Sequence, residues 1–156
     1  MTLRDLATII SKQEYANIPE HCRPKKTFSD KTANDLTKAV LAFFKYRGVK
    51  AWRQASEGRY IQPEHVHNVV GHRITVKKGR FIPRSKESKG IGDIAAVIQG
   101  QFTSWEVKVG KDRQREDQKK FQAEIEASGG KYFLIKTWDD FYFQFSALWG
   151  EKNTTS

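Results

Sequence analysis

Apolar positions follow a helical period in several separate stretches of the chain and a strand period between them. Thr2-Leu3-Arg4-Asp5 has capping-box spacing, and Leu3, Leu6, Ala7 and Ile10 recur at helical intervals, so a short N-terminal helix is expected. The pattern then lapses between Asn17 and Lys31, where Pro19, Pro24 and scattered charges read as an irregular connector. From Thr32 to Arg47, Ala33, Leu36, Ala39, Val40, Phe43 and Phe44 form one stripe that stops at Gly48, the clearest helix in the chain. Val49 to Ala55 alternates as a strand would, and Ser56-Glu57-Gly58-Arg59 reads as the turn that closes it.

Tyr60 to Lys89 is the least regular stretch. Pro63 and three histidines, His65, His67 and His72, come first; Arg73 to Lys77 and Arg80 to Pro83, around Lys78-Gly79, then read as a basic hairpin. Gly90 to Ile98 and Gln101 to Val109 are two β-prone runs joined by Gln99-Gly100, the pattern of a second hairpin. Gln114 to Ser128 reads as a helix ending at Gly129-Gly130, with Phe121 and Ile125 as its buried stripe and Gln118 one turn earlier on the same face. Lys131 to Lys136 has the length and apolar character of a sheet strand. Thr137-x-x-Asp140 opens a last helix with Trp138, Phe141, Tyr142, Phe145 and Leu148 on a broad face, an aromatic stripe read as core rather than as a stacking platform. Residues 1–31 are thus a helix and connector, 32–150 a single α/β domain with a basic insertion at about 60–89, and 151–156 a frayed tail. There is no internal repeat.

The second hairpin places charge where a sheet is normally apolar. With Ile98 facing Gln101 across the turn, Asp93 falls opposite Glu106, and the period of two puts Ser104, Glu106 and Lys108 on one face and Trp105, Val107 and Val109 on the other. Like charges directly opposite destabilise a sheet unless a cation or a shared proton relieves them. Two carboxylates supply hard oxygen ligands for Mg²⁺ or Mn²⁺, and an ammonium beside them suits phosphodiester hydrolysis, where charge develops on phosphoryl oxygens. A Glu-x-Lys tripeptide is weak evidence alone. Its context is Asp93 in facing register, Gln118 aimed inward from the next helix, and Lys111, Arg113 and Arg115 near that helix's start. Gln118 also fits a satisfied buried amide, and the basic residues fit a solvated face.

The chain has 156 residues, with 28 Lys and Arg against 18 Asp and Glu for a formal charge of +10. That balance points to nucleic acid ahead of an anionic membrane surface. Between Arg73 and Lys89, Arg73, Lys77, Lys78, Arg80, Arg84, Lys86 and Lys89 face a single acid, Glu87, and phosphate contact is read ahead of a merely solvated run. No segment joins a strongly basic face to an exposed apolar one, no run is long enough to span a bilayer, and the N-terminus lacks a signal-peptide pattern, so no membrane role is expected. Cys22 is the only cysteine, which excludes an intrachain disulfide or a Cys-rich zinc site and fits a cytoplasmic protein. His21-Cys22 and His65-x-His67 lack further ligands at metal spacing and are read as ordinary surface or core residues.

Gly90-Ile91-Gly92-Asp93, Glu106-Val107-Lys108, Gln118, and Gly129-Gly130 before an apolar strand resemble the VRR-NUC branch of the PD-(D/E)XK nucleases, over about Thr32 to Ser146. The resemblance implies a restriction-endonuclease-like core, a mixed central β-sheet flanked by helices. It further implies Asp93 and Glu106 as metal ligands, the carbonyl of Val107 completing the set, Lys108 as the catalytic lysine, and Gln118 as the glutamine on the helix after the core strands. The substrate it implies is DNA, including flapped or four-way structures, for which a two-fold homodimer would suit paired cuts. Two departures stand out: Gly92 precedes Asp93 where the superfamily name has Pro, and the first core helix opens on Thr32-Ala33-Asn34-Asp35, so Asp35 or Asp30 would have to replace the usual Glu. The expected function is a Mg²⁺-dependent DNA endonuclease, the alternative a catalytically inactive nucleic-acid-binding module of the same fold.

Overall fold

Four strands form one mixed sheet in the order β1-β6-β7-β8: β1 (Lys50–Arg53), β6 (Ile94–Ile98), β7 (Gln101–Val107) and β8 (Lys131–Ile135). β1 and β6 run antiparallel, as do β6 and β7, while β7 and β8 are parallel. A parallel neighbour needs a crossover, and α3 (Glu116–Ala127) supplies it between β7 and β8. The other helices are α1 (Leu3–Glu14), α2 (Ala33–Tyr46) and α4 (Trp138–Asn153). The computed structural model describes residues 1–54, 59–82 and 90–153. These fall into two compact units, Met1–Gln54 with Gly90–Ser156, and Ala55–Lys89.

In the first unit the core lies on one face of the sheet. Leu36, Val40, Phe43 and Phe44 from α2 meet Phe141, Phe145 and Leu148 from α4 and Leu6 and Ile10 from α1. Phe43 makes edge contacts with Trp138, Phe141 and Phe145, and Trp105 of β7 stacks on Phe133 with ring centroids 4.3 Å apart. Trp105 is fully buried, and its indole N–H donates to Thr103 Oγ1 on the same strand at 2.9 Å. Helix ends follow the sequence signals. Thr2 and Asp5 form the reciprocal capping box of α1, and Thr32 Oγ1 accepts from the Asp35 amide at α2. On the opposite sheet face α3 packs more loosely: Phe121, read as a buried stripe with Ile125, is half-buried like it, and its ring meets Tyr132 at 6.3 Å.

The second unit corrects the basic hairpin expected around Lys78-Gly79. β4 (Arg73–Lys77) does not pair with β5 (Arg80–Ile82); β4 pairs with β3 (Glu64–His67), and β5 with β2 (Arg59–Ile61). The chain reverses instead at Asn68 to His72. Charge explains the choice, because a turn at Lys78-Gly79 would set Lys77 against Arg80, whereas the observed register sets Lys77 against Glu64 with an ion pair of 2.7 Å. Of the turn read at Ser56 to Arg59 only Arg59 is among the described residues, as the first residue of β2, and Arg84, Lys86 and Lys89 lie outside them. Glu151 to Asn153, read as part of a tail, belong to α4.

Two glycines before β6 fit positions that a side chain would block. A Cβ on Gly90, whose φ is +78°, would lie 2.1 Å from the Asp117 carbonyl oxygen, and one on Gly92 would lie 2.4 Å from Ser104 Oγ. Gly90-Ile91-Gly92 is therefore a strap pressed between the first turn of α3 and strand β7. Gly90→Ala adds both a left-handed strain and a backbone clash, so a loss of more than about 1 kcal/mol is expected in thermal unfolding. Unchanged melting would mean that the strap yields.

Candidate active site

The hairpin register is the expected one. Ile98 pairs with Gln101 and Ile94 with Trp105, so Asp93, one residue before β6, continues the ladder toward Glu106. Asp93 is held from both sides. Its Oδ2 accepts from the Val107 amide at 2.9 Å, and its carbonyl accepts from the Gln54 amide at 2.8 Å.

Glu106 is 2% exposed, and both its oxygens are engaged. Oε1 accepts from Lys108 Nζ at 2.9 Å and from the side-chain amide of Gln118, while Oε2 accepts from the Tyr132 hydroxyl at 3.3 Å. Lys108 is also buried and reaches Asp112 Oδ2 at 3.2 Å. Gln118 has its amide orientation fixed by a second bond, since its Oε1 accepts from the Arg115 backbone N–H at 2.9 Å. The inward glutamine read from the α3 stripe thus bridges the helix start and the sheet carboxylate. Asp93, Glu106, Lys108 and Gln118 come together at one end of the β6–β7 hairpin.

Burial dominates the electrostatics. Desolvation pushes the Glu106 carboxyl above its ordinary value and the nearby charge of Asp93 adds to this, while Lys108 and Tyr132 pull it back. Burial alone would lower the Lys108 ammonium, but Glu106 and Asp112 together outweigh it and hold that group above the usual lysine range. Burial, and then the Glu106 charge, push the Tyr132 phenol upward, so it stays a hydrogen-bond donor at neutral pH. The relief required by facing carboxylates is therefore provided in part from within the chain, by Lys108.

A divalent cation fits the donor set. Among the described residues no three His, Cys, Asp or Glu side chains gather as a metal cluster. Mg²⁺ is commonly held by only one or two carboxylates, with water and substrate phosphate filling its shell, and Asp93 with Glu106 offers that number. The Asp93 oxygen not bonded to Val107 has no hydrogen-bond partner among the described residues. Neither acid suggested for the first helix joins them. Asp35 returns to its own cap, with Thr32 Oγ1 donating to it at 2.8 Å, and Asp30 accepts from the Trp138 amide at 3.0 Å, capping α4. His65 belongs to the second unit, where its Nδ1 lies 3.0 Å from Thr75 Oγ1. No family model matches the chain, and no curated protein does so at a significant level.

Three residues of the site were not singled out from sequence. Asp112 had a local signal, lying four residues after Lys108. Tyr132 had none, because its approach to Glu106 depends on the parallel pairing of β8 with β7. Gln54 follows Arg53, which pairs with Ile94, so it stands beside Asp93 in the same row of the sheet as Glu106. Its side-chain oxygen is buried without a hydrogen-bond partner among the described residues, an acceptor left over beside Asp93. Lys111, Arg113 and Arg115 are exposed along the approach to α3, and Arg73, Lys77, Lys78 and Arg80 are exposed on the second unit.

Proposed function

We propose that this protein is a Mg²⁺- or Mn²⁺-dependent DNA endonuclease with a restriction-endonuclease-like core. The observation that carries the reading is the meeting of Asp93, Glu106 and Lys108 at the end of one hairpin, with Glu106 and Lys108 2.9 Å apart and buried. Asp93 and Glu106 would hold the cation, with the Val107 carbonyl as the further oxygen that the family resemblance implies. When bound, it would polarise the phosphoryl group and acidify a water.

The chain's own groups do the rest. Lys108 is an ammonium at neutral pH, a state that Glu106 and Asp112 favour. It therefore serves as an electrostatic and hydrogen-bonding group toward a phosphate oxygen or the attacking water, not as a proton acceptor. Gln118 and Tyr132 fix the orientation of the Glu106 carboxylate, and Asp93 is fixed by the Val107 amide. Exposed Lys111, Arg113 and Arg115 supply positive charge for the phosphate backbone.

A second reading, a nucleic-acid-binding module without turnover, is favoured by one detail. Both oxygens of Glu106 already have partners, so its hydrogen-bonding capacity is met without a metal. One experiment separates the two. Labelled linear, flapped and four-way DNAs are incubated with the protein in Mg²⁺, in Mn²⁺ and in chelator. Cutting of at least one DNA with metal and none in chelator is expected; binding without cutting in either metal establishes the second reading.

A further inference from the structure

The second unit carries an apolar tip on a basic shaft. Taken together, β2 with β3 and β4 with β5 form the two sides of one kinked ribbon, spanning residues 59–82. That span contains five Lys and Arg (Arg59, Arg73, Lys77, Lys78 and Arg80) and one acid, Glu64. Its faces differ: the register puts His65 with Thr75 and His67 with Arg73 on one side, and Val66 with Ile74 on the other. At the reversal, Val69 is 105% exposed and Val70 75%.

This reversal is built, not slack. Asn68 Oδ1 accepts from the amides of Val70 and His72 at 3.1 and 2.9 Å, the Asn68 amide donates to the His72 carbonyl at 3.0 Å, and Gly71 takes a left-handed φ of +83°. One side chain thus satisfies two turn amides and fixes the loop with both valines outward. Apolar surface displayed at the end of a rigid, positively charged ribbon matches a duplex polymer: cations for the phosphates, and a wedge for a base step. A two-stranded ribbon also fits the width of a DNA groove.

We infer that the ribbon 59–82 engages DNA, with Arg73, Lys77, Lys78 and Arg80 on the backbone and Val69-Val70 inserted where base stacking is already weak, as at a bulge or a branch. The inference rests on DNA as the partner in the function proposed above, and not on cleavage. Unstacking is costly in an intact duplex and least so where pairing is already broken, so such a wedge selects distorted DNA.

The test uses the full chain in chelator, with a linear duplex and the same duplex carrying a two-nucleotide bulge, each with 2-aminopurine beside the bulge position. Wild type should raise 2-aminopurine fluorescence on the bulged DNA and bind it several-fold tighter than the linear form. Val69→Thr with Val70→Thr keeps the shape and β-branching while removing the apolar surface, and should lose both effects with linear-duplex binding unchanged. Lys78→Ala, which leaves the Lys77–Glu64 ion pair of the ribbon in place, should weaken both DNAs alike and reduce the salt slope by about one. Equal fluorescence and affinity for wild type and the double threonine variant overturns the inference. So does a change from dimer to monomer in the variant by light scattering, which would make the tip a contact between copies. Cleavage of linear DNA in Mg²⁺, measured separately, reports on the carboxylate site, so the two readings fail independently.

Discussion

Glu106→Gln should abolish metal-dependent cleavage, by at least about a hundredfold, while leaving the protein as stable as wild type or more so at neutral pH. The amide is isosteric, so its oxygen still accepts from Lys108 and Gln118, and its nitrogen faces the Tyr132 hydroxyl, which can accept. Lys108 keeps Asp112 as its counter-charge at 3.2 Å. What disappears is a buried negative charge that the fold disfavours, as the raised pKa of Glu106 states. The sign of the pH dependence follows. A carboxyl whose folded pKa lies above the ordinary 4.5 binds its proton more tightly in the native state, so its favourable contribution is complete below 4.5 and is lost as pH rises through the folded value. Wild type should therefore melt with the variant at low pH and fall below it as pH rises. Thermal melts across that range, beside a cleavage assay, check both halves. A variant that melts far below wild type at neutral pH would show that the charge stabilises the fold.

The opposite substitution has the larger effect on stability. Lys108→Met removes the cation and keeps the buried Glu106 carboxylate, now facing only Gln118, Tyr132 and Asp93. Breaking a buried pair from one side costs about 3–5 kcal/mol, which for a domain of this size is a drop in melting temperature of about 6–20 °C. Two treatments should reverse it. Acid should, because Glu106 loses its main neutralising partner, its pKa climbs further, and protonation cancels the charge. Mn²⁺ should as well, because a cation bound to the native carboxylates stabilises the fold by mass action, and by more in the variant than in wild type, where Lys108 competes for Glu106. A melting temperature of Lys108→Met indifferent to both would remove the basis for a cation site here.

The β6–β7 hairpin was legible because a short turn fixes register, and register alone sets which side chains face each other. From Gln99-Gly100 the pairing of Ile98 with Gln101 follows, and with it the approach of Asp93 to Glu106. Helices α1, α2 and α4 were legible through their caps and stripes, and Gln118 through its place on α3. The ribbon was misread at Lys78-Gly79 because a glycine beside charged residues marks a bend without saying whether the strands on either side pair. Repulsion between Lys77 and Arg80, against attraction between Lys77 and Glu64, decides it, and Glu64 is not local. Tyr132 and Gln54 were illegible for a related reason: each reaches the site from a strand whose neighbours are assigned only once the sheet is assembled. Among the described residues no helix is long and apolar enough to cross a membrane.

The strap Gly90-Ile91-Gly92 sets how far apart two halves of the site stand. At Gly90 the strap meets α3 main chain to main chain, at the Asp117 carbonyl, so that distance is set by backbone thickness, while at Gly92 the facing atom on β7 is the Ser104 hydroxyl. Gln118 on the helix and Asp93, which directly follows the strap, are thereby spaced by the same short run of main chain, and thickening it at Gly90 should part the helix from the sheet at the site itself.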